Sequence, residues 1–297
     1  MNISPASISL FQSQVLDSLM GSPSGANSGD SWTSIFSLLV SNSNPSGQLS
    51  SDPFSLLAAG SSGLSPTGRN MALFDPESAY RMMTLINKDD VLYKAQFSEL
   101  SQMQSSVSRM QDAGLGLGSI GISTGNDSIK AQLQDFVAQY NDWIKRFSPD
   151  LQKGGLLTDT QAAQISRFEL EQNLNNPCFG GSDGVHGLRD LGFTIDPGTH
   201  MASLDEAKLD SLLASNKQGA VDAVQAFSAN FAKSANLLNS DGNFILKQLD
   251  NLNRAIHFID ANKDSLQAEF GTGDAAKPSG QVAQALAAYN QTTALGA

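Results

Sequence analysis

Between Pro76 and Gly118 the sequence offers a long stretch free of further proline, with apolar residues on a seven-residue repeat. Ile86, Tyr93, Leu100 and Val107 form the repeat, and Met82, Met103 and Met110 lie on a second row, which Asp89 and Gln96 interrupt. A seven-residue period puts these side chains along one seam of a long helix, the pattern of a coiled-coil or bundle arm. Asp75 suits an N-cap and Pro76 the first helical position, where no amide donor is needed. The spacing predicts a helix to about Ala113, stopped by Gly114, Gly116 and Gly118. Ile86, Tyr93, Leu100 and Val107 are therefore the candidate assembly contacts, although an internal core helix carries the same stripe.

Further helices are expected at 128–147, with Pro149 ending it, at 159–174, from 205 to 213, at about 218–238 and at 243–270. Leu191 to Ile195 reads as a short strand, Asp196-Pro197-Gly198-Thr199 as a turn, and Met201 to Leu204 as the returning strand. The fold class is thus mainly α: a helical bundle or coiled-coil arm, a small β-hairpin unit and disordered termini. Residues 1–70 form a largely disordered N-terminal tail, rich in Ser, Gly, Asn and Pro, with short apolar islands at Ile8 to Met20, Trp32 to Val40 and Phe54 to Ala59. Residues 71–120 are the long helix arm and 121–270 the helical core, with a strand-turn-helix unit near 188–213. Residues 271–297 are a flexible C-terminal tail with one short helix at Val282 to Tyr289.

Composition narrows the function. Only 16% of the 297 residues are charged and 7% aromatic, as in filament-forming and secreted proteins with polar, uncharged surfaces. A net charge of −11 and the lack of a basic stripe argue against nucleic acid as partner. No apolar run is long enough for membrane insertion. The N-terminus lacks the basic start and apolar centre of a cleaved secretory signal. Cys178 is the single cysteine and is read as structural or neutral.

Motifs of chemistry fail on context. Gly116 to Gly121 fits GxGxxG but follows a helix instead of a strand, so a flexible hinge is the better reading. Asp260 to Asp264 opens like a calcium loop, then places Ser265 where glycine is required and Gly271 where a carboxylate is required. His186, His200 and His257 lack partners at metal-ligand spacing. Trp143 reads as an anchor at a helix contact. No catalytic, cofactor-binding or metal-binding residues are assigned, and the chain is read as a non-enzyme that works by assembly.

Certain segments resemble the flagellar hook-associated protein 2 (filament cap) family. Phe136-Val137-Ala138-Gln139-Tyr140-Asn141 is similar to its FV-x-x-YN helix, and Gly155 to Asp159 to its G-x-L-x-x-D step. Leu188 to Asp196 followed by Leu204 to Leu209 resembles its L-x-x-L-G-I strand and L-D-x-x-K-L helix start, with Phe193 replacing the isoleucine. Tyr93 to Ile120 follows the long helix loosely. The resemblance implies export through the flagellar type III channel and an extracellular place on the bacterial flagellum. It further implies a homo-oligomeric cap that promotes flagellin polymerisation, with flagellin or other axial proteins as partners. The chain departs from the family at both ends, which leaves an exported or surface binding module without capping as the alternative.

Overall fold

The computed structural model describes residues 63–176 and 184–295. The apolar islands before residue 60, and Cys178, lie outside the described residues. Seven helices and one hairpin are described: α1 Pro76–Leu117, α2 Asn126–Leu151, α3 Gln161–Asn175, β1 Phe193–Ile195, β2 Ala202–Leu204, α4 Glu206–Ser215, α5 Lys217–Leu238, α6 Phe244–Phe270 and α7 Gly280–Leu295. This is the mainly helical class with a small hairpin. The residues divide into two units, one of 63–83 with 264–273 and one of 84–263 with 274–295.

α1 opens as its sequence requires, the Asp75 carboxylate accepting the Ser78 amide at 3.1 Å. Hydrogen bonding from the Ser78 side chain, and then from its amide, holds the Asp75 carboxyl below the usual carboxylate range. The helix runs 42 residues, about 63 Å at 1.5 Å per residue. It continues beyond Ala113 because Gly114 is a contact as well as a weak helix former. A Cβ there would sit 2.4 Å from Phe231 Cδ1 of α5, and Ser228 Oγ donates to Gly114 O at 2.7 Å. The GxGxxG run straddles the end of α1. It closes in successive tight turns (Gly118 N to Leu115 O, 3.0 Å; Ile120 N to Leu117 O, 3.1 Å) and seats Ile120 in the core.

α2 likewise passes the expected stop: Pro149 lies inside its last turn. Asp150 and Leu151, both buried, keep the chain helical for two residues more. The second unit is centred on α2 and α5, where Phe136 meets Phe227 and Phe231 edge-on at 5.4 and 5.2 Å. These edge-to-face contacts add to the burial of three large rings. Asn216 ends α4 and starts α5, its Oδ1 accepting the Gly219 amide at 2.9 Å.

The first unit is small. Residues 63–70, expected within the tail, form a turn bridged between Leu64 and Asn70. Asn70 is buried, and its Nδ2 donates to Ala268 O and Glu269 O at 3.0 Å each, capping the last turn of α6 from far away in sequence. Thr272 N donates to Gly68 O at 2.8 Å. Gly271, at φ 91°, has no room for a side chain, since a Cβ would lie 2.5 Å from Gly68 O. Arg69 pairs with Glu77 and lies 4.4 Å over the Tyr80 ring.

At the other end of the sequence, α7 spans twice the length of the 282–289 segment expected to be helical.

Candidate functional site: a clamped hairpin

Two three-residue strands are marginal in water without further support. Their register pairs Phe193 with Leu204, Thr194 with Ser203 and Ile195 with Ala202. Between them the Asp196 carboxylate accepts the Gly198 and Thr199 amides at 3.0 and 2.6 Å, which lowers its carboxyl pKa. His200 then adopts a left-handed φ of 59° and returns its amide to Asp196 O at 2.8 Å.

α2 supplies the support. Asn141 grips Ala202 at both backbone groups: its Oδ1 accepts the amide at 2.7 Å, and its Nδ2 donates to the carbonyl at 2.8 Å. An amide side chain thereby stands where a third strand would pair. One turn position earlier, the Tyr140 hydroxyl donates to His200 O at 3.2 Å, and burial pushes that hydroxyl's pKa up. From α3, Glu171 Oε2 lies 2.9 Å from His200 Nδ1. The signature helix Phe136 to Asn141 therefore joins two tasks: Phe136 packs on α5, while Tyr140 and Asn141 hold the hairpin.

The second signature has a similar logic. Gly192 has φ 99°, and a Cβ there would meet Asp205 O at 2.7 Å, so only glycine lets the strand pass the start of α4. Asp205 N donates to Gly192 O at 3.0 Å, and its carboxylate caps α4 by accepting the Lys208 amide at 3.0 Å. Lys208 Nζ reaches back to Arg189 O at 2.7 Å. Leu188, Leu191, Phe193 and Leu209 are buried beneath. In the step after α2, Leu157 N donates to Asp150 O at 2.9 Å, and Gly155 leaves no room for a Cβ, which would lie 2.3 Å from Pro149 O.

Beside this step sits an ionic cluster that the sequence did not reveal. Arg146 Nη2 pairs with Glu99 Oε2 of α1 at 2.6 Å, and Nη1 with Asp150 Oδ2 at 3.2 Å. Arg146 also donates to Gln102 Oε1 at 2.9 Å. Burial, with the Glu99 charge adding to it, raises the Asp150 carboxyl pKa against the pull of Arg146. Residues 47 apart leave no local spacing by which to find such a pair.

The four seam residues occupy different surroundings. Leu100 and Val107 are wholly buried with Met103 and Met110 in the main core. Tyr93 packs against that core and is half-buried; desolvation, with Asp89 nearby, pushes its hydroxyl pKa up to about 12. Ile86 is half-buried. Trp143 is buried against Phe147, ring centres 5.4 Å apart, as an anchor within the core. Among the described residues no three His, Cys, Asp or Glu side chains converge as metal ligands. No described helix is long and apolar enough to cross a membrane.

Helical packing closed by an amide-clamped hairpin defines the class of this core, and the sequence comparison supplies the family. Residues 111–275, more than half of the chain, match the family described as flagellar hook-associated protein 2 C-terminus. The chain belongs to the flagellar hook-associated protein 2 family. Both signatures fall inside the matched stretch. A crystal structure of domains of the flagellar cap protein FliD from Escherichia coli is similar at 22% identity and a TM-score of 0.39, covering 43% of this chain and 37% of that chain. This chain thus spans little more than a third of that relative. No curated protein matches the sequence.

Proposed function

We propose that this chain is a structural, non-catalytic protein of the bacterial flagellum, exported without a cleaved signal peptide. It acts outside the cell as a cap-like homo-oligomer that promotes flagellin polymerisation, with flagellin or other axial proteins as partners. The observation that carries the reading is the family match over 111–275, which contains the clamped hairpin and the helices that hold it. A clamped core of this kind suits a part that must keep its shape while subunits add beside it. Of the four candidate assembly contacts, Ile86 and Tyr93 are half-buried and are proposed to meet a partner, while Leu100 and Val107 are wholly buried in the chain's own core. Deleting the gene tests the role: stunted filaments, lost motility and unpolymerised flagellin in the medium are expected, restored by the intact gene. Normal filaments in the deletion strain overturn it.

A second reading, an exported or surface binding module without capping, draws on one feature. An open depression of about 480 Å³ between α3 and α5 is lined, among the described residues, by polar side chains, including Glu169, Gln172, Asn175 and Asn230. Its lining of amides suits a polar ligand. Protein found on the cell surface with filament growth intact favours this reading.

A further inference from the structure

The last described helix, α7, is held unlike any other. It contains no Asp, Glu, Lys or Arg. Among the described residues its side chains donate only to carbonyls of the same helix, as Thr292 and Thr293 do to Tyr289 O. Among its described side chains Ala285 alone is fully buried, packed with Ala95 of α1 and Leu156, and flanked by Leu92 and Val282. Tyr289 meets Phe97 edge-on at 5.9 Å. α5, by contrast, buries Val221, Val224, Phe227, Phe231 and most of its remaining inner face.

The connection before α7 is also distinctive. Its last tie to the unit is at Asp274, whose amide donates to Thr84 Oγ1 at 2.8 Å and whose carbonyl accepts from Asn87 at 3.0 Å. Ala275, Lys277, Pro278 and Ser279 are then exposed, outside helix and strand. Gly280 follows at φ 56°.

We propose that α7 is exchangeable: it leaves the groove of Leu92, Ala95, Phe97 and Leu156 in its own chain and fills the same groove in a second copy. Every contact of the docked helix is regained in the partner's groove, so only the short hinge changes conformation. No ion pair or directional hydrogen bond has to break on the way. The exchange requires only a second copy and is independent of the flagellar role.

The test uses full-length chains with Cys178→Ser throughout. Chains carrying only Ala95→Cys are mixed at high concentration with chains carrying only Ala285→Cys, then diluted and treated with a short bismaleimide. Exchange yields a covalent heterodimer at a level comparable with internal closure of the double variant. A Leu92→Cys and Val282→Cys mixture repeats the measurement should cysteine disturb the alanine sites. Monomer alone in both mixtures, with either double variant closing internally, overturns the proposal. Double variants that do not close overturn it as well, since α7 then does not occupy the groove.

Discussion

Asn141 shows how much one side chain can decide. Its two hydrogen bonds to Ala202, beside the Tyr140 bond to His200 O, tie α2 to a hairpin too short to stand alone. Asn141→Ala removes both and leaves a backbone amide and carbonyl without partners, a cost of about 2–4 kcal/mol. A lower urea midpoint with faster exchange of the Ala202 amide is expected; an unchanged midpoint contradicts the clamp. Asn141→Asp keeps the acceptor and loses the donor, and falls between. Asp150 gives a prediction with the opposite sign. Its carboxyl pKa is raised by burial and by Glu99, so folding favours the protonated form. The stability it contributes is present at low pH and is lost as pH rises through its folded pKa. Asp150→Asn keeps a hydrogen-bonding group beside Arg146 without the charge. It is expected to flatten the stability–pH profile through the acid range and to be at least as stable as the native chain at neutral pH. Urea titrations across that range check this, and an unaltered slope contradicts it.

At the scale of elements, the seam on α1 separates into two behaviours. Leu100→Ala opens a cavity in the main core and is expected to cost about 2–5 kcal/mol in thermal or urea unfolding. Ile86→Ala, at a half-buried site, is expected to cost under about 1 kcal/mol while weakening self-association. Light scattering beside urea unfolding separates the two effects; equal destabilisation by both variants contradicts the division. Gly192→Ala places a Cβ against Asp205 O at a left-handed φ, so roughly 2 kcal/mol or more is expected to be lost at the strand-to-α4 junction.

These elements also mark what could be read in advance. Helix starts at Asp75 and Asp205 were legible because a cap acts within four residues of itself. The hairpin was legible from its apolar strands and its Asp-Pro-Gly turn. Gly114 read as a stop because the ring that requires it, Phe231, lies on a distant helix. Helical propensity alone ranks glycine as a breaker, and packing overrode it. Asn141 was visible as part of a motif, but its grip on a strand 61 residues away was not. α7 escaped in part because a helix of alanines and amides carries little apolar periodicity.

For the molecule as a whole, low charge and few aromatic residues fit the way its parts are joined. Amide side chains do work elsewhere done by sheets or ion pairs: Asn70 on α6, Gln96 on Leu156 O, Asn141 on β2, and Gln225 on Ile120 O. Such bonds are neutral and vary little with salt, unlike surface ion pairs. Parts joined largely by neutral amide bonds predict assembly that persists as ionic strength rises. Whether this core serves at the growing flagellum is decided by the position of the protein on the cell. Gold-labelled antibody viewed by electron microscopy is expected at the distal ends of filaments. Label confined to the cell body, with bare filament tips, would rule out a place at the growing end.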